Sequence, residues 1–125
     1  MRQKIVGFFE LGNEQVQVVL REGVGGEFWL EPGDIKCPRI KIGADQACWG
    51  DLVAVLDHEA LEFTLTRMRR RYFTSMDYAN DHGAYTFFLT HVEFAEVAAR
   101  VAHFLVKCLP QMEKEWRKWR RKKSP

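Results

Sequence analysis

The first third of the chain alternates between apolar and polar residues. Val16, Val18 and Leu20 are separated by polar side chains, and a period of two is typical of a half-buried strand. The same pattern predicts strands at four places, which turns rich in glycine and proline separate: 3–9, 15–21, 28–31 and 38–43. Short turns between successive strands predict an antiparallel β meander.

Helical spacing replaces this alternation in the middle of the chain. Asp45 is a credible N-cap, and from there to about Arg71 the apolar residues recur every three or four positions. This stretch is predicted to be one long central helix. A polar loop at 74–83 and one further strand at 84–90 are predicted to follow it.

Two more helices are predicted at the C-terminal end. Thr90 and Glu93 have the spacing of a capping box, which marks a helix start. Pro110 is predicted to end that helix because proline lacks the backbone N–H and disfavours helical geometry in the residue before it. A last helix then begins at about Gln111. The order of elements predicts an α+β domain over residues 1–110, followed by a basic amphipathic helix or tail over 111–125.

Composition excludes several classes of protein. The 125 residues are 46% hydrophobic and 13% aromatic, which is too apolar for a disordered chain. No apolar run approaches the roughly 20 residues of a membrane span, and the run at 5–9 is too short for a secretory signal. Three cysteines without a C-x-x-C pair predict reduced thiols and a cytoplasmic location.

The net charge of +2 conceals an uneven distribution. Eleven of the nineteen basic residues lie in two clusters, 67–71 and 114–123. The remainder of the chain is acidic, so the sequence describes an acidic body with basic segments.

The stretch "HEALE" carries the candidate chemistry. His58 and Glu62 are four residues apart, which places their side chains on one face of a helix with Cβ atoms about 5–6 Å apart. A metal ion can take two ligands from that spacing. Glu59 lies about 100° round the helix, beside such an ion.

With these residues the chain resembles the zincin metallopeptidases, whose motif is H-E-x-x-H. A strand, "RIKIG", precedes the long helix, and a second helix follows. The resemblance implies a zinc site in which His58 is the first ligand and Glu59 the general base that acts on metal-bound water. Glu62 stands where that family has its second histidine. A second carboxylate lowers the Lewis acidity of the ion, so hydrolysis would be weakened.

A third ligand is expected from the second helix. His91 stands at its start and His103 lies further along it. Two histidines with one carboxylate also suit iron(II) or manganese. The alternative to a metal site is structural, since His58 shares a helix face with Val55 and Leu65 and can be a core histidine that bonds to Glu62.

The basic clusters suggest a second kind of function. Tryptophans interleaved with cations can bind single-stranded nucleic acid by stacking and phosphate contact, and the candidates are Arg67, Arg69, Arg70, Arg71, Trp116, Arg117, Trp119 and Arg120. Alternatively, Met112 and the two tryptophans dock the last helix on the body through their helical spacing. A helix lying on a membrane surface is a further alternative.

The sequence as a whole is similar to the short proteins of unknown role in bacteriophage and prophage genomes, which share a basic, aromatic-rich tail. These observations predict a zincin-like accessory domain that binds a protein partner and carries an altered, non-proteolytic metal motif. A zinc-dependent hydrolase and a nucleic-acid-binding protein are the alternatives.

Overall fold

The computed structural model describes residues 2–73 and 85–123. Within these residues, six strands and two helices follow in chain order: β1 (Gln3–Leu11), β2 (Glu14–Arg21), β3 (Gly26–Trp29), β4 (Arg39–Gly43), α1 (Trp49–Arg67), β5 (Arg71–Phe73), β6 (Tyr85–Phe87) and α2 (His91–Lys123). The predicted α+β class is confirmed, with a four-stranded, largely antiparallel sheet before the helices. The predicted polar loop at 74–83 lies outside the described residues.

The four-stranded sheet has the order β1-β2-β4-β3 and therefore differs from a simple meander. β2 pairs with β4 in parallel, while β1–β2 and β3–β4 pair antiparallel. The chain crosses the end of β4 between β2 and β3. At this crossing Gly43 lies so close to the preceding turn that a Cβ on it would be 2.3 Å from the carbonyl oxygen of Gly23. The parallel pair thus depends on a close backbone approach that the alternation of residues does not reveal.

The core lies between this sheet and the two helices. β2 and β4 contribute aliphatic residues that are fully buried, and the helices cover them with larger side chains: Val16, Val18, Leu20, Ile40 and Ile42 from the strands, and Leu52, Leu56, Phe63, Phe104, Met112 and Trp116 from the helices. Phe28 of β3 packs edge-on against Phe63, with ring centroids 5.8 Å apart. The sheet therefore fixes the orientation of α1, on which the candidate site lies.

Helix α1 is shorter than the predicted helix over 45–71. It begins at Trp49, and the carboxylate of Asp45 accepts a hydrogen bond of 2.7 Å from the N–H of Gly23 instead of capping the helix. Its C-terminal end is followed by Arg69 at a φ of 59°, a left-handed conformation in which arginine is uncommon. The chain then leaves the helix and forms the short strand β5, which the sequence pattern does not predict.

Helix α2 starts as predicted. The N–H of Glu93 donates to the hydroxyl of Thr90 at 3.1 Å, and the N–H of Thr90 donates to the carboxylate of Glu93 at 2.9 Å. This reciprocal pair is a capping box. The thiol of Cys108, further along the buried face, has its pKa raised to about 12 by burial and is therefore unreactive.

The predicted break at Pro110 is wrong, because α2 continues through it to Lys123 as one helix of 33 residues. Pro110 lies on the exposed side, where water can bond to the carbonyl oxygen that loses its helical partner. Beyond it, Met112, Trp116 and Trp119 are buried. The Nε1–H of Trp116 donates to the carbonyl oxygen of Ala44 at 2.8 Å, so this part of α2 is fastened to the segment between β4 and α1.

Candidate metal centre

Three donor groups meet on one turn of α1. One potential ligand atom each from His58, Glu59 and Glu62 lies within 4.8 Å of the other two. The Nε2 atom of His58 is 3.3 Å from a carboxylate oxygen of Glu62 and 3.7 Å from one of Glu59. Two ligands of a tetrahedral ion with bonds of about 2.1 Å are about 3.4 Å apart. The two separations from His58 are therefore close to those between the ligands of a divalent cation.

Glu59 lies within the cluster because β3 leaves room for it. A Cβ on Gly26 would be 2.9 Å from the Cγ atom of Glu59, so any larger residue at position 26 would push this side chain aside. The residue is only 7% exposed. Burial raises the pKa of Glu59; nearby His58 lowers it, while the carboxylates of Glu62 and Glu27 raise it further. The carboxyl group predicted as a base beside the ion is thus placed among the donors.

Glu62 is held by a second ion pair. Arg71, at the start of β5, donates from Nη1 to Oε1 of Glu62 at 2.8 Å, while the other oxygen of Glu62 faces His58. The guanidinium group fixes the carboxylate and offsets part of the negative charge of the cluster. The spacing of the sequence does not identify this partner, because the helix predicted from the sequence extends to about Arg71.

The cluster borders an open cleft of about 420 Å³ that is lined by Gly25, Gly26, Ala54, Val55, His58 and Glu59. The side chain of His58 is 69% exposed at this cleft. The alternative of a core histidine is therefore wrong. Position 58 lies about 200° round the helix from the buried Leu56 and is therefore exposed, although the predicted pairing with Glu62 is present.

The two histidines expected from the second helix lie elsewhere. His91 and His103 are both on the exposed side of α2, and His103 lines a separate cleft together with Glu10 and Lys107. Within residues 2–73 and 85–123, the His58 group is the one set of three or more potential ligands in suitable proximity, and neither histidine belongs to it. The third donor in the cluster therefore comes from α1 itself.

The two tryptophans of the predicted nucleic-acid surface are inaccessible. Trp116 and Trp119 are 1% and 2% exposed, so their rings cannot stack on bases. Arg120 lies over the ring of Trp116, with its guanidinium carbon 4.7 Å from the centroid. Arg117 is paired with Glu113 at 2.6 Å. The described part of the tail thus presents cations without accessible aromatic rings.

Most cations of the other basic cluster are also engaged in ion pairs. Arg67 donates to Glu14 at 3.0 and 3.1 Å, Arg70 donates to Glu93, and Arg71 holds Glu62. Arg69 is exposed at the turn after α1. Binding of nucleic acid by these residues stays a prediction from the sequence.

The chain matches no protein-family model, no curated protein and no solved structure. The resemblance to zincins accordingly rests on the HEALE residues and their place after a strand. Neither helix of the described chain combines the length and the apolar character needed to cross a membrane.

Proposed function

We propose that this chain is a divalent-metal-binding domain with His58, Glu59 and Glu62 as its ligands. The observation that carries the proposal is the convergence of three donor atoms at an open cleft, all within 4.8 Å of one another. Zinc accepts nitrogen and carboxylate ligands. One imidazole with two carboxylates also suits manganese or iron(II).

The charge of the cluster supports metal binding. Two ionised carboxylates carry a charge of −2, and Arg71 at 2.8 Å from Glu62 reduces it by one. A divalent ion would bring the total to about +1, so the ion keeps part of its Lewis acidity. The arginine thus compensates for the extra negative charge that Glu62 introduces where zincins have a histidine.

A binding role fits this donor set better than proteolysis does. If Glu59 coordinates the ion, no carboxylate remains beside it to act as the general base on metal-bound water. Three protein ligands on a tetrahedral ion leave one position open toward the cleft. A donor group of a protein partner can occupy that position, so the proposed role is an accessory domain that recognises its partner through a shared metal.

Metal binding should depend on His58 and not on the other two histidines of the described helices. Isothermal titration calorimetry of tag-free protein with Zn²⁺ is expected to give one site per chain. His58→Ala should weaken the affinity by about 100-fold or more, since even the outer partners of metal ligands contribute about 10- to 100-fold. The matched controls are His91→Ala and His103→Ala, which remove exposed imidazoles outside the cluster. Equal affinity in all three variants, or no binding by the wild type, would overturn the proposal.

Glu59→Gln distinguishes a site in which Glu59 is a metal ligand from a zincin-like hydrolase in which Glu59 is the general base. If Glu59 is a ligand, the amide should lower metal affinity by about tenfold or more, because it removes an anionic donor. If Glu59 is a base, the variant should keep its metal and lose hydrolysis of a casein substrate. Zinc content and hydrolysis measured on the same sample distinguish the two outcomes, and metal retention without any change in affinity would exclude Glu59 as a ligand.

A further inference from the structure

The first part of α2 is apolar on two opposite faces. Its inner face packs into the core through Val97, Val101, Phe104 and Cys108, all of them buried. Its outer face presents a second apolar row made up of Val92, Ala95, Ala99, Ala102 and Val106, which are exposed, and Leu109, which is half-buried. Val92 and Val106 are 75% and 74% exposed. A contiguous row of exposed apolar side chains often marks an interaction surface, so the outer face has the character of an interface.

The outer row has the spacing of a coiled-coil seam. Its six residues, which we call the α2 seam, follow one another at intervals of three and four, the a and d positions of a heptad. They extend over 18 residues, or about 27 Å of helix. Alanines occupy the middle of the seam and larger residues its two ends, which allows a second helix to approach most closely at the centre.

The α2 seam is complementary to an antiparallel copy of itself. An antiparallel pairing that places Ala99 opposite Ala102 of a second copy also places Ala95 opposite Val106 and Val92 opposite Leu109. Every layer is then apolar, and the two-fold axis repeats each layer once. The small pairs meet at the centre and the large pairs at the ends.

Charge distinguishes this arrangement from a parallel one. Glu96, His103 and Lys107 lie along the same flank of the α2 seam and are exposed. In the antiparallel pair, Glu96 lies level with residue 105 of the second copy, between the imidazole at 103 and the ammonium group at 107. In a parallel pair the same flank of the two copies lies on opposite sides of the interface, so Glu96 of one copy would not lie beside Lys107 of the other.

We propose that the α2 seam is the interface of an antiparallel homodimer of this chain. The interface lies on the side of α2 opposite the core and uses none of the three candidate metal ligands. It is therefore independent of the proposed metal centre, and the dimer is expected in the presence of EDTA.

Sedimentation equilibrium of the full chain, in EDTA and reducing buffer, tests the interface. The wild type is expected to dimerise, and Ala99→Glu or Ala102→Glu should produce a monomer because each copy would bury an unpaired carboxylate against an alanine in a dry layer. The matched control is Val24→Glu, which adds the same charge at a position that is 67% exposed in the β2–β3 turn. A monomeric wild type at concentrations up to about 500 µM, or a dimer that persists in both seam variants, would overturn the proposal.

Charge exchange tests the antiparallel register. Glu96→Lys and Lys107→Glu should each weaken dimerisation by about tenfold, since the two-fold axis repeats the contact in each dimer. The double variant restores opposite charges across the interface and should return to within a few fold of the wild type. Circular dichroism of each variant at monomeric concentration controls for the loss of the pair between Glu96 and Arg100. A double variant as weak as the single ones would exclude the proposed register.

Discussion

Trp116→Ala should lower the free energy of unfolding by about 3–5 kcal/mol, because it removes a large core side chain and leaves a cavity. The indole is 1% exposed, packs against Trp49 with ring centroids 5.6 Å apart, and donates its N–H to Ala44. Since small domains are stable by only about 5–15 kcal/mol, this loss is a large share of the total. Urea denaturation followed by far-UV circular dichroism measures it.

A comparison of the two buried tryptophans isolates the hydrogen bond of Trp116. The Nε1 atom of Trp119 is buried and has no hydrogen-bond partner within the described residues. Trp116→Phe should therefore destabilise the fold by about 1–2 kcal/mol more than Trp119→Phe, because only the former deprives a buried carbonyl oxygen of its donor. Arg117→Ala, on the exposed side of the same turn, should change the stability by no more than about 0.5 kcal/mol. Equal losses for the two phenylalanine variants would contradict the assigned bond.

Gly43→Ala is expected to destabilise the fold by about 3 kcal/mol or more, through overpacking where the β2–β3 turn passes the end of β4. The added Cβ would lie 2.3 Å from the carbonyl oxygen of Gly23 and 2.7 Å from the carbonyl carbon of Val24. Both neighbours are backbone atoms, so relief requires the turn itself to move. The same denaturation experiment measures this loss.

Gly50→Ala provides the matched control for that substitution. The nearest heavy atom to its new Cβ would be the Sγ of Cys48 at 3.9 Å, an ordinary contact. Because alanine is the better helix former, this variant should be as stable as the wild type or more stable by up to about 1 kcal/mol. Similar stability of the two alanine variants would mean that the backbones at Gly23 and Gly43 are not in close contact.

Local patterns predict the parts of this fold that depend on local interactions. The strands around Val16 and Ile40 follow from alternation, and the start of α2 follows from Thr90 and Glu93, whose bonds span three residues. The burial of Trp116 is consistent with its spacing from Met112. In each of these cases the interacting groups are neighbours along one element.

The parts that the sequence does not predict depend on distant contacts. The parallel pairing of β2 with β4 is decided where Gly43 meets Gly23, twenty residues apart. Asp45 bonds to the same turn and therefore does not cap α1. Pro110 stays within a helix because it is exposed and because the residues after it are anchored in the core.

The candidate site likewise has one part that the sequence predicts and another that depends on distant contacts. The proximity of His58 and Glu62 follows from their spacing on one helix, and the structure brings their side chains to 3.3 Å. The inclusion of Glu59 depends on Gly26 of another strand, and the orientation of Glu62 depends on Arg71 after the helix has ended. Neither partner is marked by a motif, so only the folded chain identifies them.

The ion pairs of Arg70 and Arg71 limit the changes in length that the chain tolerates at this point. These consecutive residues hold different helices, since Arg70 bonds to Glu93 at the start of α2 and Arg71 to Glu62 on α1. Successive residues of an extended segment point in opposite directions. Inserting or deleting a single residue just before them would exchange the two directions and break both ion pairs together. Loop-length variation is therefore expected to be much less tolerated here than in the β1–β2 turn.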